Sequence, residues 1–182
     1  MRKINGIIAH LSIVLFAVHA VAGAFQLSGI FPGGNTVLKI LAYILVLLIF
    51  VHVAIGAVLT VRILRSMKKS GTSYFRENKL FWVRRISGFA LFFIMIVHVY
   101  IFSGHGSGSA YRLHDYGVTE LVLMLLMAAA LAVHVIANVR PMLITLGIES
   151  LREYALDILI ILALIVVFAA VGFVIYYFRW NG

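Results

Sequence analysis

VLKILAYILVLLIFVHVAIGAVLTVRIL, residues Val37–Leu64, decides the fold class. No charged residue lies between Lys39 and Arg62. Residues 40–61, wound as an α-helix at about 1.5 Å per residue, would span about 33 Å, enough to cross a ~30 Å hydrocarbon layer. One imidazole, His52, sits inside that run. Four further stretches read the same way, so the expected spans are Ile4–Leu27, Val37–Leu64, Phe81–Phe102, Val118–Val139 and Leu156–Phe178. Glycine, proline, serine and charged residues gather between them, as in Ser28–Gly34 and Ser103–Ser109. No internal repeat is visible and no stretch is left over for a soluble domain. The expectation is an all-α membrane bundle of five transmembrane helices forming one domain over residues 1–182.

Composition agrees. Of the 182 residues, 64% are hydrophobic, and the mean hydropathy is +1.11. A soluble domain this apolar could not cover its surface. The formal net charge of +9 follows from 15 basic and 6 acidic residues, but the basic residues sit between the apolar runs, which points to membrane topology and not to nucleic acid. Arg2, Lys3, Arg62, Arg65, Lys68, Lys69, Arg76, Lys79, Arg84, Arg85, Arg140 and Arg152 fall on one side. Only Lys39, Arg112 and Arg179 fall on the other. The positive-inside bias therefore puts the N-terminus and the Met67–Lys79 loop in the cytoplasm and the C-terminus outside. Lys79–Arg85, basic with aromatic residues interleaved, suits the membrane–water interface. The start of the chain mimics a secretory leader, with Met1-Arg2-Lys3 ahead of an apolar run that ends Ala20-Val21-Ala22-Gly23-Ala24. Two histidines inside that run argue for a retained span.

The chain has no cysteine, which excludes disulfides, thiolate iron–sulfur ligation, covalent CxxCH haem and cysteine nucleophiles. Seven histidines are the remaining soft-nitrogen ligands. His10 and His19 lie in the first span, His52 in the second, His98 in the third and His134 in the fourth, with His105 and His114 between the third and fourth. A lone histidine in an apolar helix usually satisfies itself with a hydrogen bond. Four spans that each carry one deep in the run are another matter, because ionisable groups in lipid are costly and tend to face the bundle interior. Counted from the nearest basic residue, His19 and His98 lie about 24 and 20 Å from the cytoplasmic edge, and His52 and His134 about 15 and 9 Å. His10, about 10 Å in, would leave His98 unmatched. Two pairs at two heights, His19/His98 and His52/His134, are what two bis-histidine b haems stacked across a membrane require. Gly23 and Gly56, each four residues after a histidine, leave room on the histidine's face for a flat macrocycle. Tight helix packing through small residues explains them as well.

Arg84-Arg85-Ile86-Ser87-Gly88 at the start of the third span, with His98 further along it, resembles the Arg-x-(Ser/Thr)-Gly…His pattern of the cytochrome b anchors of succinate dehydrogenase and fumarate reductase. His134-Val-Ile-Ala-Asn-Val-Arg140 resembles the ending of their following helix. The five-span layout is similar to the single-chain, dihaem type. That resemblance implies His19 and His98 on a distal haem b, His52 and His134 on a proximal one, and a quinone (menaquinone or ubiquinone) as electron partner. It also implies a flavoprotein and an iron–sulfur subunit docked on the cytoplasmic side, in a bacterial or archaeal cytoplasmic membrane. The sequence departs from some relatives of this type in having Ala132 two residues before the fourth-span histidine and no acid within Phe25–Asn35. A compensating proton path is not expected.

Remaining candidates have two readings each. Glu120, with His114, could accept protons at an outer quinol site, near Asp115, His105 and Tyr116; equally, acids there suit the start of a helix. Arg84, Arg85 and Arg140 could pair with haem propionates or serve only as inside-positive anchors. The basic 66–80 loop could dock the electron-transfer subunits or face anionic lipid. Rival functions are the cytochrome b of another quinone-linked enzyme, of hydrogenase or formate dehydrogenase type, and a haem-free transporter using its histidines for protons or metal. No buried carboxylate lies between the span ends to support proton relay.

Overall fold

The computed structural model of the chain describes residues 1–70, 78–103, 116–147 and 155–181. Within them the chain forms five helices and no strand: α1 Arg2–Leu27, α2 Thr36–Ser70, α3 Lys79–Phe102, α4 Val118–Thr145 and α5 Ala155–Asn181. All five are long and apolar enough to cross a membrane. The all-α expectation holds, but the helices overrun the apolar stretches. α2 continues through Arg62, Arg65, Lys68 and Lys69 to Ser70, because an apolar run marks where lipid ends and not where a helix must. Lysine and arginine form helix well and suit the negative C-terminal end of the dipole. α4 likewise passes Arg140 and Pro141 to reach Thr145.

Side chains mark the helix starts. Asn35 Oδ1 accepts from Leu38 N at 3.1 Å ahead of α2, and Asn78 Oδ1 accepts from Phe81 N at 3.1 Å at the N-cap of α3. Each satisfies one of the amides that a first helical turn leaves open. After α1 the chain turns at Gly29, whose φ of 79° lies in the left-handed region that glycine enters without steric cost.

In the bundle α3 packs on α4, α4 on α5, α5 on α1 and α1 on α2, with α2 only lightly against α3. Large apolar side chains face outward; Tyr100 and Ile136 are 75% and 65% exposed, which in lipid costs nothing. Association then depends on close packing, which small residues permit. α1 and α5 meet at Ala24 and Gly172, where a Cβ built on Gly172 would fall 3.1 Å from both Cα and Cβ of Ala24. Buried side chains gather at two levels. Val139, Met142, Leu143 and Leu162 form a cluster towards the basic end of the bundle. Leu27, Tyr116, Met124, Phe173 and Tyr176 form another at the opposite, aromatic end. The histidines lie between.

Gly172→Leu must push α1 and α5 apart. It is expected to destabilise the chain by about 1–3 kcal/mol, seen as a lowered midpoint in thermal unfolding followed by circular dichroism in detergent. An unchanged midpoint would show that the α1–α5 contact is not close-packed.

Candidate functional site

Four of the histidines meet as two pairs. His19 on α1 and His98 on α3 have ring centroids 6.1 Å apart with planes crossed at 82°. His52 on α2 and His134 on α4 have centroids 6.4 Å apart with planes at 88°. His10 is exposed on α1 and takes no place in either pair. Among the described residues, α1 does not pack substantially on α3, nor α2 on α4. The pairs therefore reach across the diagonals of the α1–α4 arrangement, from helices held apart. Two imidazoles on opposite sides of one metal ion, each with a nitrogen about 2 Å from it, set their centroids about 6 Å apart. Both pairs have that separation.

Side chains hold a ring nitrogen of two histidines, and for His98 the partner also fixes the tautomer. His98 Nδ1 lies 3.3 Å from Met124 Sδ. A thioether can only accept, so Nδ1 carries the proton and Nε2 keeps its lone pair. His134 Nδ1 lies 3.2 Å from Ser87 Oγ, and the Ser87 hydroxyl has the Arg84 carbonyl within 3.4 Å to donate to. The hydroxyl can give its hydrogen to the carbonyl and accept from the ring, or give it to the ring. Asn138 Nδ2 is 3.5 Å from the same ring nitrogen but gives its short bond, 2.7 Å, to the His134 carbonyl. In both rings Nδ1 is held by a neighbour, an arrangement that metal-binding histidines generally share.

Glycines shape the surroundings. A Cβ on Gly88 would stand 3.0 Å from His134 Cε1, so any larger residue would make that ring give by a few tenths of an ångström. A Cβ on Gly23, one turn after His19, would meet nothing within 4 Å, and one on Gly56, one turn after His52, would meet only Arg85 Nη1 at 3.4 Å. Open space beside a ring pair suits a flat group. Among the described residues there is no cluster of three or more histidine or carboxylate ligands. A bare transition-metal ion generally needs more protein ligands than two. A macrocycle that fills the equatorial positions itself needs two axial nitrogens, which is what each pair offers.

The two arginines at the start of α3 differ. Pro141 has no N–H, so the Ala137 carbonyl, four residues earlier, lacks its helical donor. Arg84 Nε donates to that carbonyl at 2.8 Å, tying α3 to α4. Arg85 points the other way. Its Nη1 donates to Gly56 O at 3.4 Å, a carbonyl that also accepts from Thr60 Oγ1 at 2.7 Å. Its guanidinium sits 5.2 Å from the Phe81 ring centroid. Arg85 Nε is buried with no hydrogen-bond partner among the described residues. Arg140 is exposed.

At the aromatic end Glu120 Oε2 accepts from Gly117 N at 2.8 Å, closing the first turn of α4. The helix-start reading of this carboxylate thus has a bond behind it. Burial, and then Tyr176 and Glu120, raise the nearby Tyr116 phenol above its ordinary value, so it remains a donor at neutral pH. His105, His114 and Asp115 lie outside the described residues.

Sequence reasoning named Ser87 within a motif without giving it a role, and it missed Met124. Met124 precedes His134 by ten residues on another turn of the same helix and touches the histidine of a different pair. No local pattern signals that.

The family described as "Succinate dehydrogenase/Fumarate reductase transmembrane subunit" matches this chain over residues 72–172, more than half its length. That stretch includes His98 and His134 and stops short of His19 and His52. No curated protein and no solved structure matches the chain.

Arg84→Ala is expected to cost about 1.5–3 kcal/mol, the range for a hydrogen bond to a charged group. In a Pro141→Ala background the Ala137 carbonyl regains a helical donor, so the cost should fall by at least about 0.5 kcal/mol. A double-mutant cycle of unfolding in detergent measures this, and strictly additive costs would disprove the link. Glu120→Gln keeps a capping side chain and removes the charge, so stability should hold, whereas Glu120→Ala should lose about 1 kcal/mol. Equal losses in the same unfolding assay would show that the cap is not what Glu120 supplies.

Proposed function

We propose, on the premise that this chain belongs to the succinate dehydrogenase/fumarate reductase transmembrane subunit family, that it carries electrons through two b haems between a membrane quinone and the soluble subunits of that complex. The observation that carries the reading is the crossed, six-ångström spacing of both histidine pairs. His19 and His98 would hold one haem, and His52 and His134 the other. A haem with two imidazole ligands takes up and gives up one electron without an open position for oxygen.

The residues of the chain do the rest. Ser87 and Met124 hold Nδ1 of His134 and His98, which would leave Nε2 of each to bind. Gly88 lets the His134 ring approach α3, and the space beside Gly23 and Gly56 receives a flat group. Of the three arginines proposed for propionates, Arg85 is favoured, since its guanidinium lies at Gly56 with a nitrogen still unbonded. Arg84 is taken up by the α4 carbonyl and Arg140 is exposed.

The N-terminus would lie in the cytoplasm by the distribution of positive charge, in a bacterial or archaeal cytoplasmic membrane. The basic end of the bundle would then receive the iron–sulfur and flavoprotein subunits, which hold the dicarboxylate chemistry. A quinone, menaquinone or ubiquinone, would react towards the aromatic end, where Glu120 and His114 are the proposed proton acceptors. The absence of a third metal ligand at either pair, among the described residues, favours haem over a bare metal ion.

A reduced-minus-oxidised spectrum with a pyridine haemochrome count on the purified complex is expected to give two b haems per chain. His52→Ala and His134→Ala should each remove the same haem, and His19→Ala and His98→Ala the other. Loss of different haems within a pair would break the assignment, and absence of haem would overturn the function.

A further inference from the structure

The His98 ring is packed by aromatic side chains. Phe102, one turn further along α3, lies tilted against it at a centroid distance of 4.7 Å. Phe173 of α5 meets it edge-on at 6.3 Å. At its Nδ1 stands Met124 Sδ, 3.3 Å away across the α3–α4 contact. Met124 is fully buried, at 0% exposure, in the cluster that holds Leu27, Tyr116, Phe173 and Tyr176. A methionine side chain is flexible in itself, so it is this packing that keeps the sulfur on the ring nitrogen. A thioether is a weak acceptor, with little of the pull of a carbonyl or a carboxylate. An acceptor on one imidazole nitrogen raises the basicity of the other, and a stronger acceptor raises it more. His98 is thus given an orientation with little added donor strength.

We infer that Met124 is the positioning residue for His98 and a determinant of the midpoint potential of the His19/His98 centre. Its thioether holds the ring in the tautomer with Nε2 bare, and as a weak acceptor it keeps that nitrogen a poorer donor than an oxygen acceptor would. The inference rests on the two-haem reading. A poorer donor stabilises ferric iron less, so the natural residue holds the midpoint of this centre up. The inference also makes α4 serve both centres, with His134 a ligand of one and Met124 behind a ligand of the other. The two residues are ten positions apart, about 15 Å along the helix.

The test is a potentiometric titration of both haems in the intact complex, for the natural chain, Met124→Gln and Met124→Leu, each haem being identified by its loss in the matching histidine variants. Glutamine has nearly the length of methionine and brings an oxygen acceptor to Nδ1, so Met124→Gln should lower the midpoint of the His19/His98 haem. The expected change in ferrous-to-ferric ratio at fixed potential is on the order of tenfold, about 59 mV for a one-electron couple. Met124→Leu keeps the volume and removes the acceptor, so the same midpoint should rise, by less. The His52/His134 haem should stay where it is. Opposite shifts confined to the His19/His98 haem support the inference, because loosened packing alone would move both variants the same way. Any other result with both haems present overturns the inference and leaves the two-haem reading standing. Should Met124→Gln fail to hold that haem, Met124→Leu decides alone, a raised midpoint supporting the inference and any other result, loss of the haem included, overturning it. A natural complex without haem overturns both the inference and the reading it rests on.

Discussion

An imidazole placed in hydrocarbon must have something for each of its two nitrogens, because lipid offers no hydrogen bonds and an unpaired polar group there is expensive. The architecture follows from that constraint. The rings of each pair lie about one metal-bridged spacing apart, and each ring also needs a neighbour on an adjacent helix or turn. Ser87 and Met124 meet the need from different helices, which is why the α3–α4 contact is the one through which both pairs are steadied. The diagonal helices stay apart because the space between them belongs to the ring pairs.

The same accounting governs the backbone. A proline inside a membrane helix opens one carbonyl, and in α4 the opening is filled from α3 by a guanidinium. Gly56, beside the His52/His134 pair, has a carbonyl that takes both a hydroxyl and a guanidinium proton besides its place in the helix. Arg84 and Arg85 are thus neighbours in sequence with different duties: the first is a cross-link between helices, the second remains partly unsatisfied at the edge of the ring pair.

Much of this was legible in the residues. Spans and their number follow from apolar run length alone, since lipid imposes a minimum that chance rarely meets. The choice of His19 over His10 came from counting helical rise, and the structure sets His10 on the surface. Helix ends were read short, at Leu64 for α2 and Val139 for α4, because the reading tracked solvent and not backbone. Side-chain partnerships were mostly invisible. Nothing in the sequence around Met124 ties it to His98, and nothing around Ala137 announces that its carbonyl binds Arg84, although Pro141 four residues on reveals that the carbonyl needs a donor. Such contacts depend on the rotation of one helix against another, which sequence spacing within a single helix does not record. The role of Glu120 was open between a cap and a proton acceptor, and the bond to Gly117 speaks for the cap.

The crossing of the rings, near a right angle in both pairs, has an electronic consequence. An imidazole donates π density only perpendicular to its own plane. Two parallel rings on one iron would address the same d orbital and split it from its partner; two crossed rings address one orbital each and leave the pair nearly equal in energy. On the two-haem reading, each pair would offer its bound group two imidazoles in nearly perpendicular planes, and the helix rotations that set those planes would set the symmetry of the donor field.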